Sequence, residues 1–421
     1  MKQTVGFGAA DILLPDFDCV DGTRWAVIAC DQYTSEPAYW ERVEKLVGDA
    51  PSTLRLVLPE VYLDDTARRT AAINAEMARV SNDLCTYPNT VLMLERTQSD
   101  GRVRRGLIGA LDLECYDYRP GTATLTRATE GTVLERIPPR VAIRREAPLE
   151  LPHVMLLIDD PADCVLTTAQ QACRNAAPVY DFDLMLGGGH VRAYALDAAC
   201  QENLTEALAS LITPEAMEAK YGDKTAAPFL FAAGDGNHSL ATAKAIYEEL
   251  KETLGEDAAR RHPARYALVE VVNLHDTALQ FEPIYRVIFH CDPQTVLAEL
   301  ADELAAQNGS AAAQTLHWIT AEGEGDLTVA HPMRQLTVGT LQAFLSEFEK
   351  RHPEAEVDYI HGRDSLRALA QKPNAIGFLF DGMRKDELFR TVLYDGALPR
   401  KTFSMGHADD KRFYLECRKI K

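Results

Sequence analysis

The chain's fold is decided by Pro228-Phe229-Leu230-Phe231-Ala232-Ala233, then Gly234-Asp235-Gly236-Asn237-His238-Ser239, then Leu240-Ala241-Thr242-Ala243-Lys244-Ala245-Ile246-Tyr247-Glu248-Glu249-Leu250. The first six residues are apolar and of strand length. The last eleven are strong helix formers with an apolar face at helical period. Between them, Gly234 and Gly236 permit a tight turn and close approach of a ligand to the backbone. The pattern predicts a strand, a turn and a helix. A helix start carries first-turn N–H groups and the positive end of the macrodipole, and it accepts phosphate. Gly234, Gly236, Asn237 and Ser239 would form the cradle, with His238 and Ser239 as side-chain donors and Lys244 one to two turns in. Asp235 is unusual beside an anion; it suits a Mg²⁺ ion or accepts a hydroxyl proton. The competing reading is a plain capped turn, with Asp235 or Asn237 as the cap.

Working outward, strand-like and helix-like segments alternate, which predicts an α/β (mixed α+β) fold. Buried strands are expected at 25–30, 153–158 and 266–274, and a hairpin at 91–95 and 103–115 around Gln98-Ser99-Asp100-Gly101. Gly187-Gly188-Gly189 reads as another hairpin turn. Helices are expected at 65–84, 294–307, 338–351 and 364–371. The expected organisation is a main region, 1–290, holding the turn, and a C-terminal α/β lobe, 291–421, whose last segment returns to the site.

Three further segments carry candidate chemistry. Asp31-Gln32-Tyr33-Thr34 follows a strand; Asp31 is a general-base candidate, and an ordinary helix-start cluster is the alternative. The stretch 127–145 is charged and stiffened by proline, and reads as an ordered loop. Its Arg127, Arg136 and Arg140 can fork onto phosphate beside Glu130 and Glu135, or form a surface ion-pair network. Pro399-Arg400-Lys401-Thr402-Phe403-Ser404-Met405-Gly406-His407 groups donors around Lys401 and Thr402, which would close over an anion or form a terminal strand and solvated turn.

Bulk properties narrow the partners. A net charge of −19 opposes binding to nucleic acid and to anionic membrane surfaces, while leaving room for a small anionic ligand in a local cationic pocket. The nine cysteines have no Cys-x-x-Cys spacing and read as free thiols of a reducing compartment. No run approaches the ~18 apolar residues of a membrane span, and 1–8 does not read as a secretion signal, so the expected location is the cytoplasm. The common hydrolase, zinc-protease and P-loop signatures are absent.

Gly234 to Ala243 resembles the Asp-Gly-His-His-Arg signature of the domain-of-unknown-function 1015 family. Further ordered matches run along most of the chain: Val27-Ile28-Ala29 through Tyr33, Arg127 to Arg136, Pro283-Ile284-Tyr285-Arg286, Tyr359-Ile360-His361 and Pro399-Arg400-Lys401-Thr402. The family signature is in turn similar to the phosphate-binding turn of the ParB/sulfiredoxin superfamily, which includes free-serine kinases. The resemblance implies a phosphate-binding core with a second α/β lobe, and ATP, ADP or pyrophosphate with Mg²⁺ as ligands. This chain departs from the pattern at two positions: Ser239 stands where the signature has arginine, and Tyr285 where it has histidine.

The implied activity is phosphoryl transfer from a small-molecule donor to a small hydroxyl compound, in the manner of a serine kinase. A non-catalytic nucleotide or phosphate sensor and a phosphate-ester hydrolase are the alternatives. Asp31, Asp235, His238 and Glu130 are the catalytic candidates. Lys244, Arg127, Arg136 and Lys401, with Thr402, would hold phosphate. Asp31, Arg127, His238 and Lys401 are expected around one cleft. The oligomeric state is left open.

Overall fold

The apolar run at 228–233 becomes the strand Phe231–Asp235, buried over its first three residues, and the formers after it become the helix Asn237–Leu254. In the computed structural model the described residues are 5–119, 121–131, 137–406 and 408–421. They fall into two compact units. The first comprises residues up to Ala128, Thr132–Leu279 and His407–Lys421; the second comprises Thr129–Gly131 and Gln280–Gly406. The break lies ahead of the 290/291 position expected from sequence, because the strand Phe281–Phe289 is an inner strand of the second unit's sheet. The described tail, 408–421, belongs to the first unit, not to the C-terminal lobe.

The first unit is built on a mixed sheet of ten described strands. Their order is Tyr180–Asp183, His190–Ala195, Leu92–Thr97, Val103–Asp112, Tyr266–Asn273, Met155–Ile158, Phe231–Asp235, Thr126–Ala128 and Tyr116–Asp117, with Phe7–Gly8 beside Val103–Asp112. Met155–Ile158 is wholly buried and runs parallel to Tyr266–Asn273, which accounts for its unbroken apolar sequence. The decisive strand Phe231–Asp235 runs antiparallel to Met155–Ile158, with Asp235 opposite Met155. The turn after Asp235 is thereby set beside the residues that lead into Met155.

That neighbour explains Gly236. It adopts φ +74°, and a Cβ there would lie 2.9 Å from the Val154 Cα. Gly189 is similarly constrained, at φ +84° with the Thr97 carbonyl 2.0 Å from a would-be Cβ, so the glycine triplet serves a tight connection between Tyr180–Asp183 and His190–Ala195.

The second unit has a six-stranded sheet among its described residues. Glu324–Val329, Gln314–Ile319, Ala375–Leu379, Phe281–Phe289 and Glu356–His361 lie in that order, and Phe403–Met405 joins the beginning of Phe281–Phe289. The helices Pro293–Ala305, Thr337–Arg351, Arg363–Ala370 and Lys385–Asp395 accompany it. Asp292 caps the first of them through the Gln294 and Thr295 N–H groups, with Pro293 in the position that needs no N–H. Val287, Ile288, Phe344, Phe348 and Phe378 are buried core residues of this unit.

Two local expectations are corrected. Within 25–30, only Val27–Ile28 is a strand, paired with Phe413–Tyr414, because Asp21 caps a helical turn over Gly22–Trp25. Within 127–145, the charged stretch ends in the helix Ile137–Arg145. Pro138 and Pro139 fall in its first turn, where a missing N–H leaves no hydrogen bond unmade. No described helix is long and apolar enough to cross a membrane.

Candidate functional site

The helix Asn237–Leu254 begins without a side-chain cap. Gly236 occupies the cap position and has no side chain to offer. Asp235 and Asn237, the two candidate caps, are used elsewhere. Asp235 accepts the Gly236 N–H at 2.9 Å, and the Asn237 amide donates to the Ala233 carbonyl at 3.1 Å. Both bonds stiffen the turn from the strand side. Ser239 follows in the first turn, and the His238 carbonyl accepts the Thr242 hydroxyl at 2.7 Å.

Two charged pairs flank this helix start. The second carboxylate oxygen of Asp235 meets the Lys411 ammonium at 3.1 Å. Asp31 lies 3.5 Å from Nε2 of His153, whose Nδ1 is 2.7 Å from the Tyr414 hydroxyl. Burial alone would raise the Asp31 pKa, but His153, Gln32 and Lys411 outweigh it and hold the carboxyl below its usual range. Burial likewise opposes a charged His153, yet Asp31 and Asp235 hold the imidazole's pKa above its ordinary value. The pair therefore favours its ionised form. Tyr414 donates to Cys30 Sγ at 3.0 Å, and burial pushes that thiol up to about 12, so Cys30 is no nucleophile at neutral pH.

Lys411 reaches the turn because the tail is anchored by buried arginines. Arg96 is 2% exposed and donates to the backbone carbonyls of Gly188 (2.5 Å), Asp409 (3.0 Å) and Lys411 (3.3 Å). Burial, then the neighbouring Arg104, push its pKa down to about 9. Beneath it, the fully buried Glu270 takes Arg104 at 3.2 Å and Arg412 at 2.7 Å, and Glu416 takes Arg412 and the Tyr180 hydroxyl, each at 2.6 Å. Tyr33, with a left-handed backbone at φ +53°, donates its hydroxyl to Asp409 and stacks on Tyr39.

The other sequence candidates are placed differently. Lys244 points along its helix: its ammonium meets Glu248 at 2.7 Å, one turn further from the start, and the Leu113 carbonyl at 2.8 Å. Arg127 donates to the carbonyls of Thr124 and Ala227 at 3.0 and 3.1 Å, with its guanidinium over the Phe229 ring. Its phosphate fork is thereby taken up by backbone. Arg140 pairs with Glu60. Glu130, Lys401 and Thr402 belong to the second unit, where Glu130 accepts the Lys401 N–H at 3.2 Å and Thr402 donates to the Pro399 carbonyl at 2.6 Å. Arg136, Glu135 and His407 lie outside the described residues. Thus Asp31, Asp235, Gly234, Gly236, Asn237, His238 and Ser239 share the first unit with Arg127 and Lys244, but the cation at Asp235 is Lys411. Sequence reasoning placed neither His153 nor Lys411 at the site. The available signals were a lone histidine just ahead of a buried strand and a lysine in a charged tail.

Among the described residues no group of three His, Cys, Asp or Glu side chains is placed to hold a metal ion. Asp31 and Asp235 each already face a cation. The donor set does not fit a dedicated Mg²⁺ site.

A mixed sheet feeds a glycine turn into a helix start whose cap residue is glycine, flanked by two charged pairs, and these features define a mixed α/β protein. The chain belongs to the family described as a protein of unknown function, DUF1015, whose model matches residues 15–393. No curated protein matches it. Among solved structures, a mutant free serine kinase in complex with AMP is 10% identical, at a TM-score of 0.39 over 76% of this chain and 92% of that one. A mutant free serine kinase in complex with ADP is 10% identical, at a TM-score of 0.38 over 76% of this chain and 93% of that one. A conserved hypothetical protein from Pyrococcus furiosus is 12% identical, at a TM-score of 0.35 over 74% of this chain and 94% of that one.

Proposed function

We propose that the first unit binds the phosphates of a nucleotide at the start of the helix Asn237–Leu254 and transfers a phosphoryl group to a small hydroxyl compound. The observation that carries this reading is the helix start itself: Gly236 replaces a capping side chain, and Lys411 stands beside it on Asp235. Backbone N–H groups and one lysine are the two donor types that hold transferring phosphates.

The roles follow from the charges. The first-turn N–H groups, Ser239 and His238 face the phosphate oxygens, and Lys411 neutralises their charge. His153, whose pKa Asp31 and Asp235 raise, favours its protonated form and contributes to the field rather than acting as a base. The acceptor oxygen forms the new P–O bond, the bond to the leaving phosphate oxygen breaks, and the hydroxyl proton passes to a carboxylate. Asp235 is the carboxylate next to the helix start. Phosphoryl transfer passes through a loose transition state, so positioning and charge matter more than a strong base. Magnesium is left to the nucleotide's own oxygens.

Non-catalytic nucleotide binding is the second reading. It is favoured by the mutual pairing of Asp31 with His153 and of Asp235 with Lys411, and by the depressed pKa of the Asp31 carboxyl, which makes that carboxylate a weak base. Release of ADP from ATP, measured with and without a panel of hydroxyl acceptors beginning with serine, separates the two. Release that depends on an acceptor supports transfer. ATP binding with no turnover in any arm supports the sensor, and acceptor-independent phosphate release points to a hydrolase.

A further inference from the structure

Three cations of the second unit converge on one aromatic ring. The guanidinium of Arg286 lies 4.4 Å from the Tyr359 ring centre, that of Arg400 5.1 Å, and the ammonium of Lys401 5.2 Å. No two of them are then more than about 10 Å apart, within a single screening length at moderate salt.

Arg286 is fixed and fully buried. Its Nε donates to the Gln342 side chain at 3.0 Å, Nη1 to the Ile284 carbonyl at 2.6 Å, and Nη2 to the Arg400 carbonyl at 3.2 Å. None of these acceptors is charged. Burial and the nearby Arg400 push its pKa down to about 10, which leaves it cationic at neutral pH. Arg400 and Lys401 are exposed, and among the described residues neither side chain donates a hydrogen bond to a protein acceptor.

The backbone holds this arrangement against its own preference. Lys401 adopts φ +54°, which residues with a Cβ seldom do. Its N–H is tied to Glu130 and the next residue's hydroxyl to Pro399. The kink sets two cations against a third in a chain whose net charge is −19. Strained backbone of this kind is retained where the surroundings fix it for a use.

We propose that this cluster is a second anion site, taking the phosphate group of a small ligand, with Arg400 and Lys401 as direct donors and Arg286 as the fixed charge behind them. Among the described residues Glu130 is the carboxylate that acts on Arg286, and three cations beside it leave an excess of positive charge that suits a phosphate dianion better than a monocarboxylate. The Arg400 fork and the Lys401 point charge suit a tetrahedral oxyanion. The site rests on none of the residues of the helix start in the first unit, so either reading can fail alone.

The test is calorimetric titration of the full chain with inorganic phosphate, AMP and ATP. It uses the wild type, an Arg400→Gln/Lys401→Gln double variant and a Lys411→Ala variant. The phosphate-binding event that weakens at least ten-fold in the double variant should persist in Lys411→Ala, where only binding at the helix start declines. If AMP shows the same pattern the phosphate arrives on a nucleotide; if only inorganic phosphate does, it arrives free. Without ligand, the double variant should melt at or above the wild-type temperature, because the repulsion is relieved. Equal phosphate binding by wild type and double variant, no binding of any ligand at millimolar concentration, or a clear drop in melting temperature would overturn the proposal.

Discussion

The Lys411 ammonium lies 3.1 Å from the carboxylate of Asp235, joining the C-terminal tail to the turn more than 170 residues earlier. Both side chains are partly exposed, so the pair itself adds little to stability. Its consequence is positional: it sets a cation at a helix start whose cap residue is glycine.

Lys411→Ala should therefore leave the fold intact and weaken phosphate-bearing ligands at that start. A charge-assisted contact is worth roughly 1.5–3 kcal/mol, which corresponds to about ten- to hundred-fold in affinity. Titration of ATP into wild type and variant checks this. Unaltered affinity would remove Lys411 from the site.

Gly236→Ala should destabilise the turn by roughly 1–3 kcal/mol, from the left-handed backbone and from the Cβ placed 2.9 Å from the Val154 backbone. Urea unfolding measures the loss. Because the strain falls on the helix start, ligand binding should decline with it. A neutral substitution would mean that the backbone relaxes freely there.

Arg96→Met removes three hydrogen bonds from a buried guanidinium to backbone carbonyls and should cost roughly 3 kcal/mol. Hydrogen exchange should rise selectively in 408–414, since Arg96 grips the backbone of Asp409 and Lys411. Protection there unchanged from wild type would show that the strand pair with Val27–Ile28 and the Arg412 ion pairs hold the tail without it.

Stability should fall as pH rises above about 6.5, the ordinary histidine value. The folded-state pKa of His153 is raised, so its contribution is complete below the unfolded value and is lost as pH climbs through the folded one. Asp31, whose folded pKa is depressed, contributes above its unfolded value near about 4 and is lost only in stronger acid. In His153→Gln the alkaline slope should flatten. Urea midpoints between pH 6 and 9 decide it, and an identical slope in the variant would assign the titration elsewhere.

The strand, turn and helix at 228–250 were legible because glycines punctuate two segments of different period. The hairpin strands Leu92–Thr97 and Val103–Asp112 were legible for the same reason. What sequence could not supply was the identity of the turn's neighbours. His153 arrives through an antiparallel register, and Lys411 through a buried arginine on a strand that ends 312 residues before the tail's Asp409. Lys244 read as the phosphate cation by its position, but Glu248 one turn along and the Leu113 carbonyl give its ammonium nearer partners. Pro138-Pro139 read as a loop because proline breaks helix interiors, a rule that does not apply to a first turn.

The central claim is tested most directly by thermal melting of the full chain with ATP, ADP and pyrophosphate, each with and without Mg²⁺, in wild type and Lys411→Ala. A ligand at 100 times its dissociation constant adds about 2.7 kcal/mol of stability. The account predicts a clear upward shift in the wild type that shrinks in Lys411→Ala. No shift with any of the three, or a shift of the same size in the variant, would contradict phosphate binding at the start of the helix Asn237–Leu254.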